Sequence, residues 1–285
     1  MAGELAHQTR MLHHQEIIHI SSMPILAHLP NVEEYLTYSR SIKTRRKTRF
    51  LINPSEISRL REWHETPDAF PILVAHCRGL YNVSRDFSVE LLDTIRAGGI
   101  PAIWGPILHE FDTNARLSLK DVLLSLSLQT LALNQKVCHN GFDPITSSHF
   151  QDALTEDRCF EVLGRCMFGL SKLYIILDMA VVNDATSDED TSPSEFIQKF
   201  LDQLLVRPEF TVRLVIVADE FDECFDIEQD PWNESQILVF GQNPGPLRRK
   251  RANRGFTRYS SHVFPLRSST KGILDWLPTD VDTGQ

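Results

Sequence analysis

Four short apolar segments, separated by stretches with helical periodicity, constrain the fold of this chain more than any other feature. The apolar segments are 70–75, 100–104, 173–178 and 213–218, and each is predicted to be a buried strand. Helices are predicted between and around them, at 55–63, 84–96, 118–133, 155–168 and 194–205. This alternation predicts an α/β fold with a parallel sheet of about four to five strands and helices on both faces.

The regular pattern occupies the middle of the chain and leaves an extension at each end. Residues 1–52 hold five of the eleven histidines and a basic run, and they are predicted to form a loosely held extension. Residues 53–225 are predicted to form the α/β domain. Beyond 225 the periodicity fades into a Pro/Gly cluster, so 226–285 are predicted to be a C-terminal extension, first acidic and then basic.

The net charge of −9 conceals two basic segments, 40–49 and 248–258, with six basic residues and no acid in each. The 29 basic residues less these twelve leave 17 against 38 acidic ones, so the body of the chain is strongly acidic. That balance is not typical of a general nucleic-acid-binding protein. The local patches leave RNA, DNA, anionic lipid or an import receptor open as partners.

The second basic segment is predicted to be exposed, because it follows the Pro/Gly breaker. Its core is a cluster of four residues, Arg248, Arg249, Lys250 and Arg251. Short clusters of this kind are typical of nuclear import signals or of patches that bind an anionic partner. The alternative is that the cluster folds back on the acidic stretch 219–234, which holds eight acids and no basic residue.

Nothing in the sequence indicates a membrane span or a disulfide framework. No apolar run reaches the roughly 18–20 residues that a spanning helix needs, and the N-terminus has no basic start followed by an apolar stretch. The five cysteines form no C-x-x-C pair, which argues against a structural zinc site, and no metal site is predicted. A cytoplasmic or nuclear protein with reduced thiols is expected.

The turn after the first predicted strand stands where a phosphate-binding loop would lie. Ligands of doubly wound sheets bind outside the carboxyl ends of the strands, and an intact P-loop there reads G-x-x-x-x-G-K-[ST]. Here Gly79 lies in the turn, and Ser84, Arg85 and Asp86 take the glycine, lysine and hydroxyl positions. Because a carboxylate in the Mg²⁺-binding position would repel a triphosphate, a degenerate loop is predicted.

Two strand ends carry acids of the kind that a Mg²⁺-binding Walker B strand supplies. Asp178 closes LYIILD, and Asp219 is followed directly by Glu220. Asp178 is also consistent with a carboxylate that caps a turn, and Asp219 with a solvated acidic loop. Because the strands are predicted to be parallel, both aspartates are expected at the ends of neighbouring strands, on the same edge as the turn 77–84.

The order of these elements resembles the NACHT-like domains of STAND NTPases, especially divergent copies in filamentous fungi. The segments that carry the resemblance are REWHETPDAFPILVAHCRG, SRDFSVELLDTIR, IPAIWGPI, LSLKDVLLSLSLQTLALN, CFEVLGRCMFGLSKLYIILDM and VRLVIVAD. DEFDEC at 219–224 is similar to the Walker B string DALDEC common in that family. The resemblance covers roughly residues 55–225 and implies a P-loop NTPase-like sheet. The chain departs from the family in lacking the glycine–lysine–hydroxyl triplet and any following winged-helix or repeat region.

A retained core without a standard phosphate site predicts a non-enzymatic pseudo-NTPase, an interaction module of a signalling or regulatory pathway that binds a protein and no cofactor. Two alternatives stay open. One is a residual nucleoside triphosphatase for ATP or GTP, with Arg85 on the phosphates and Asp178 or Asp219 on Mg²⁺. The other is a nuclear or nucleic-acid-associated factor that acts through the basic segments.

Overall fold

The computed structural model describes residues 11, 15–46, 54–66, 69–78, 82–105, 117–139, 144–187, 191–205, 211–219 and 237–241. Within these ranges the architecture is an α/β fold around one five-stranded sheet. Every pairing between neighbouring strands is parallel, and the spatial order is β2-β3-β4-β1-β5. The strands are β1 (Ile72–Arg78), β2 (Ala102–Gly105), β3 (Lys172–Asp178), β4 (Thr211–Asp219) and β5 (Ile237–Gly241). The predicted fold class is thus confirmed.

Five of the helices that flank the strands lie where the periodicity predicts them, and the helices at 32–46, 147–151 and 179–186 are not among those predicted. In chain order the helices are α1 (Val32–Arg46), α2 (Pro54–Glu65), α3 (Asn82–Ala97), α4 (Leu119–Leu133), α5 (Ser147–Gln151), α6 (Glu156–Met167), α7 (Met179–Thr186) and α8 (Pro193–Phe200). A helical segment at 15–21 precedes them, and a short π-helix, Leu201–Leu205, follows α8. None of the helices in the described ranges is long and apolar enough to cross a bilayer.

Local signals fix several of the helix ends. The Ser118 side chain accepts from the Asp121 backbone N–H, and the Asp121 carboxylate accepts from the Ser118 N–H, which makes a capping box at the start of α4. Thr155 caps α6 in a similar way through the N–H of Arg158. Gly169 ends α6 with φ +80, a left-handed conformation that glycine adopts without steric cost.

Alternate residues of the central strands face two separate core layers. Ile175, Leu214 and Ile216 pack in a layer with α4, α6, α7 and α8. Ile176 and Val215, one position along, pack in the other layer with α1, α2 and α3. Because both faces of the sheet are covered, its strands are apolar at nearly every position, which explains why they read as continuous apolar runs in the sequence.

The described part of the N-terminal extension is docked on the α/β core. Ile20, Met23 and Leu26 are at most 3% exposed and join the layer with α4 and α6, while Leu36 of α1 is fully buried in the other layer. The expectation of a loosely held extension does not describe these residues. The first three anchors recur at every third residue, but Ser21, Ser22 and Pro24 interrupt the stretch, so no long helical pattern marks the docking in the sequence.

The sheet also continues beyond residue 225, where the sequence predicts a C-terminal extension. β5 lies at 237–241 and pairs with β1, with Val74 opposite Ile237. Residues 242–285 lie outside the described residues. The α/β domain therefore includes at least one strand from the segment that the sequence assigns to the extension.

Candidate functional site

The carboxyl ends of the strands converge as the alternation of strands and helices predicts. Cys77, near the end of β1, pairs with Asp219 at the end of β4, and Asp178 at the end of β3 pairs with Val217. Asp178 and Asp219 thus lie at the carboxyl ends of neighbouring parallel strands. β1 ends at Arg78 on the same edge, and α3 begins at Asn82, while residues 79–81 lie outside the described residues. The placement of the two aspartates at the ends of neighbouring strands is thus confirmed.

The start of α3 places the degenerate triplet inside the protein. α3 begins at Asn82, so Ser84, Arg85 and Asp86 lie in its first two turns, where they are 3%, 5% and 0% exposed. The carbonyl of Ser84 accepts a hydrogen bond from the Ser88 hydroxyl at 3.0 Å. These side chains are therefore buried in the folded protein, where a triphosphate would have to displace protein contacts.

Asp178 has a structural task at the end of β3. Its Oδ1 accepts a hydrogen bond from the Ala180 N–H at 3.0 Å, which makes it the N-cap of α7. Strand and helix follow one another without a loop, and the carboxylate is only 2% exposed. Of the two interpretations of Asp178, the cap is thus observed, and a role in Mg²⁺ binding stays a prediction.

Several predicted site residues lie outside the described residues. They are Gly79 of the phosphate loop, Glu220 beside Asp219, and the basic cluster Arg248, Arg249, Lys250 and Arg251. Asp219 is located through the pairing of its backbone alone. Within the described ranges no group of three or more His, Cys, Asp or Glu residues is placed to hold a metal ion.

The cysteines in the described ranges are free thiols, and they are buried: Cys77, Cys138, Cys159 and Cys166. Burial raises the pKa of Cys138 and that of Cys159 to about 11. Burial also raises the pKa of Cys166, which has no exposed surface. Since the thiolate is the reactive form, these three thiols are poor nucleophiles and poor metal ligands at neutral pH.

A second cluster of polar side chains, which the sequence does not predict, lies at the opposite edge of the sheet. Arg213 of β4 is 1% exposed, and its guanidinium donates to the carbonyls of Thr66 at 2.5 Å and Ala69 at 2.8 Å. Lys172 donates to the carbonyl of His64 at 3.3 Å. The cations thus bind carbonyl oxygens at and just beyond the carboxyl end of α2, where the helix dipole favours positive charge.

Burial governs the titration of this cluster. His64 and Tyr174 share a 2.5 Å hydrogen bond between the ring Nδ1 and the phenol oxygen. Burial, together with the positive charges of Lys172 and Arg213, lowers the pKa of His64 to about 4. Burial also lowers the pKa of Lys172 and raises that of Tyr174. The one signal in the sequence is the presence of Arg213 and Tyr174 inside strands that are otherwise apolar.

Compared with protein-family models, the chain has no match, and compared with curated proteins it has none either. The resemblance to NACHT-like domains therefore rests on the sequence motifs given above.

Proposed function

We propose that the protein is a pseudo-NTPase, a non-enzymatic interaction module built on a P-loop-like α/β core. The observation that carries the proposal is the burial of Ser84, Arg85 and Asp86 at the start of α3. A working phosphate site needs its lysine and hydroxyl open to the ligand, with backbone N–H groups around the phosphates. Here the corresponding side chains pack inside the protein, which supports a role that does not depend on nucleotide hydrolysis.

The cap at Asp178 supports the same proposal. A Walker B aspartate acts on Mg²⁺ through free carboxylate oxygens, whereas one oxygen of Asp178 is engaged by the Ala180 N–H. The fold is compatible with a P-loop-like domain in general. The NACHT-like family, the pseudoenzyme character and the signalling role are parts of this proposal.

The paired charges of α1 weigh against general polyanion binding by the first basic segment. Lys43 forms a 2.7 Å ion pair with Glu90 of α3, and the guanidinium of Arg40 binds the Asp93 carboxylate. Two of the six basic residues at 40–49 are thus engaged within the protein. The nuclear alternative then depends on the other four basic residues of 40–49 and on the second basic segment, 248–258.

Thermal unfolding with ATP–Mg²⁺ and with GTP–Mg²⁺ tests the absence of nucleotide binding. A nucleotide at about 100 times its Kd would stabilise the fold by about 2.7 kcal/mol, which is readily measured. We expect no saturable shift. The informative control is Asp178→Asn, because asparagine is also a good N-cap and removes only the charge. A Mg²⁺-dependent shift in the wild type that disappears in Asp178→Asn contradicts the proposal and supports the residual triphosphatase.

Partner capture tests the interaction role itself. The tagged full chain is recovered from its own cells once with ATP–Mg²⁺ present and once with EDTA. The proposal expects the same bound protein in both preparations. Capture that requires nucleotide would support the switching behaviour that the NACHT resemblance implies, and the absence of any specific protein would overturn the interaction role.

A further inference from the structure

A pocket of about 780 Å³ lies beside the amino end of β2, far from the edge that carries Asp178. One wall is the N-terminal segment 26–33, and the opposite wall combines the segment 99–102 with the last two turns of α4. The volume falls within the range of roughly 300–1,000 Å³ that is typical of sites for small molecules. The pocket exists only because the N-terminal segment docks on the core.

The N-terminal wall is fixed at both of its ends. His28 forms a 2.8 Å contact with the carboxylate of Asp121, at the start of α4. Glu33 forms a 2.9 Å ion pair with Arg96, at the end of α3. Leu26, 3% exposed, anchors the wall in the core layer. A wall held in this way gives a preformed pocket, which lowers the entropy cost of binding a ligand.

Two long polar side chains that line the pocket, those of Gln129 and Arg96, already have protein partners. The amide of Gln129 accepts from the Trp104 N–H at 3.0 Å and donates to the Trp104 carbonyl at 2.8 Å. Arg96 donates through Nε to the Ala102 carbonyl at 3.1 Å and through Nη1 to Glu33. What remains for a ligand is mainly the apolar surface of five side chains: Leu26, Leu29, Ile100, Leu128 and Leu133.

The same hydrogen bonds close the edge of the sheet to an added strand. β2 is an edge strand in the described sheet, and a peptide that extended the sheet would need its outward backbone groups. The carbonyl of Ala102 and both backbone groups of Trp104 are occupied by Arg96 and Gln129. An extended peptide would have to break these bonds, whereas a small molecule would leave them intact.

Charge in the pocket also selects against ions. Arg96 and Glu33 neutralise each other, so an anion would compete with Glu33 and a cation with Arg96. We propose that this pocket is a binding site for a neutral, largely apolar small molecule. Binding removes the apolar walls and the apolar ligand from water, and this burial makes the favourable contribution to the free energy of binding near room temperature. The proposal is independent of the proposed function, since no part of a pseudo-NTPase role requires the site.

A pair of fluorescent probes tests both the site and the ligand class. The neutral probe is N-phenyl-naphthylamine, and the anionic one is the sulfonated anilinonaphthalene, which has the same ring framework. The full chain is expected to bind one equivalent of the neutral probe saturably and to bind the sulfonate at least about tenfold more weakly. Tighter binding of the sulfonate would overturn the neutral class. If the folded protein shows no saturable binding of the neutral probe, the proposed site is overturned. The same conclusion holds where a segment of the chain itself occupies the pocket.

Two alanines near helix ends provide matched variants. Ala132 lines the pocket from α4, whereas Ala97, at the end of α3, is exposed and is not part of the lining. Ala132→Trp should fill the pocket and weaken the neutral probe by about tenfold or more, while Ala97→Trp should bind as the wild type does. Equal affinity in the two variants would overturn the assignment of the probe to this pocket.

Hydrogen exchange of the wild type tests the site without any substitution, so the result does not depend on whether a variant folds. Saturating neutral probe should slow exchange at 26–33, 99–102 and 125–133 and leave the start of α3 unchanged. Protection at the carboxyl edge of the sheet instead would place the probe elsewhere and overturn the proposal.

Discussion

The guanidinium of Arg213 lies over the indole ring of Trp63, with 5.1 Å between its Cζ and the ring centroid. The same guanidinium donates to the carbonyls of Thr66 and Ala69, which follow α2. A single buried side chain of β4 therefore fixes both the last turn of α2 and the connection from α2 to β1. The contact combines a cation–π interaction with charge-assisted hydrogen bonds, each of which is stronger away from water.

Replacement of Arg213 should be costly. Arg213→Met keeps most of the side-chain volume but leaves the Thr66 and Ala69 carbonyls without their donor, so we expect the free energy of unfolding to fall by about 3 kcal/mol. Urea unfolding measures the change. Arg158→Met is the control, because the Arg158 side chain is 65% exposed in its ion pair with Glu161, and its loss should cost less than about 0.5 kcal/mol. Similar losses in both variants would contradict the role given to Arg213.

His64 should make stability depend on pH. Its pKa in the folded protein is about 4, below the ordinary value of 6.5, so below about pH 6.5 the unfolded chain binds a proton that the folded protein does not. Stability should therefore fall as the pH is lowered from about 6.5 to about 4. Because the ring is only half-buried, we expect a loss of about 1 to 2 kcal/mol rather than the full value of the shift.

Comparison of variants isolates the contribution of His64 from the carboxylates that titrate nearby. Urea unfolding between about pH 4 and pH 7.5 should show a shallower pH dependence for His64→Gln than for the wild type. Tyr174→Phe removes the hydrogen bond to His64 but leaves the His64 ring buried, so this variant should retain most of the pH dependence of stability. An unchanged profile in His64→Gln would show that another group causes it.

The ion pairs between α1 and α3 should be coupled weakly and in a salt-dependent way. A double-mutant cycle of Arg40→Ala and Asp93→Ala should give a coupling of about 0.5 to 1 kcal/mol at about 0.1 M salt, because both side chains are partly exposed. The coupling should shrink at about 1 M salt as screening increases. As a control, the effects of Arg40→Ala and of Glu161→Ala, which lies on α6, on the free energy of unfolding should simply add. A salt-independent Arg40–Asp93 coupling would argue against an ion pair.

The first four strands are predictable from sequence because burial on both faces makes each a continuous apolar run. β5 is different, since ILVFG stands between an acidic stretch and a Pro/Gly cluster, with no helical pattern beside it. Its place in the sheet is set by pairing with β1, a long-range contact that no local signal encodes. The docking of 20–36 depends in the same way on a few apolar residues that find partners only in the folded protein.

The two sites differ in how much of them the sequence reveals. Asp178 and Asp219 could be placed on one edge because parallel strands share a direction. The burial of Arg85 and Asp86 could not be predicted, since polar residues at a helix start are usually solvated. The cluster around Arg213 was missed because one arginine in an apolar strand carries no information about the carbonyls that it will bind.

The variant Arg85→Ala distinguishes a packing role of this side chain from a role in nucleotide binding. Because the side chain is 5% exposed, Arg85→Ala should lower the free energy of unfolding by about 2 to 3 kcal/mol. Any affinity for ATP–Mg²⁺, measured by isothermal titration calorimetry at a temperature where the variant is folded, should stay unchanged. A loss of affinity of tenfold or more, about 1.4 kcal/mol, would instead support the residual triphosphatase.

The triple change Ser84→Gly, Arg85→Lys and Asp86→Ser restores the standard motif letters at the start of α3. A gain of nucleotide binding in that variant would indicate a decayed phosphate site, because the rest of the carboxyl edge would then still fit the ligand.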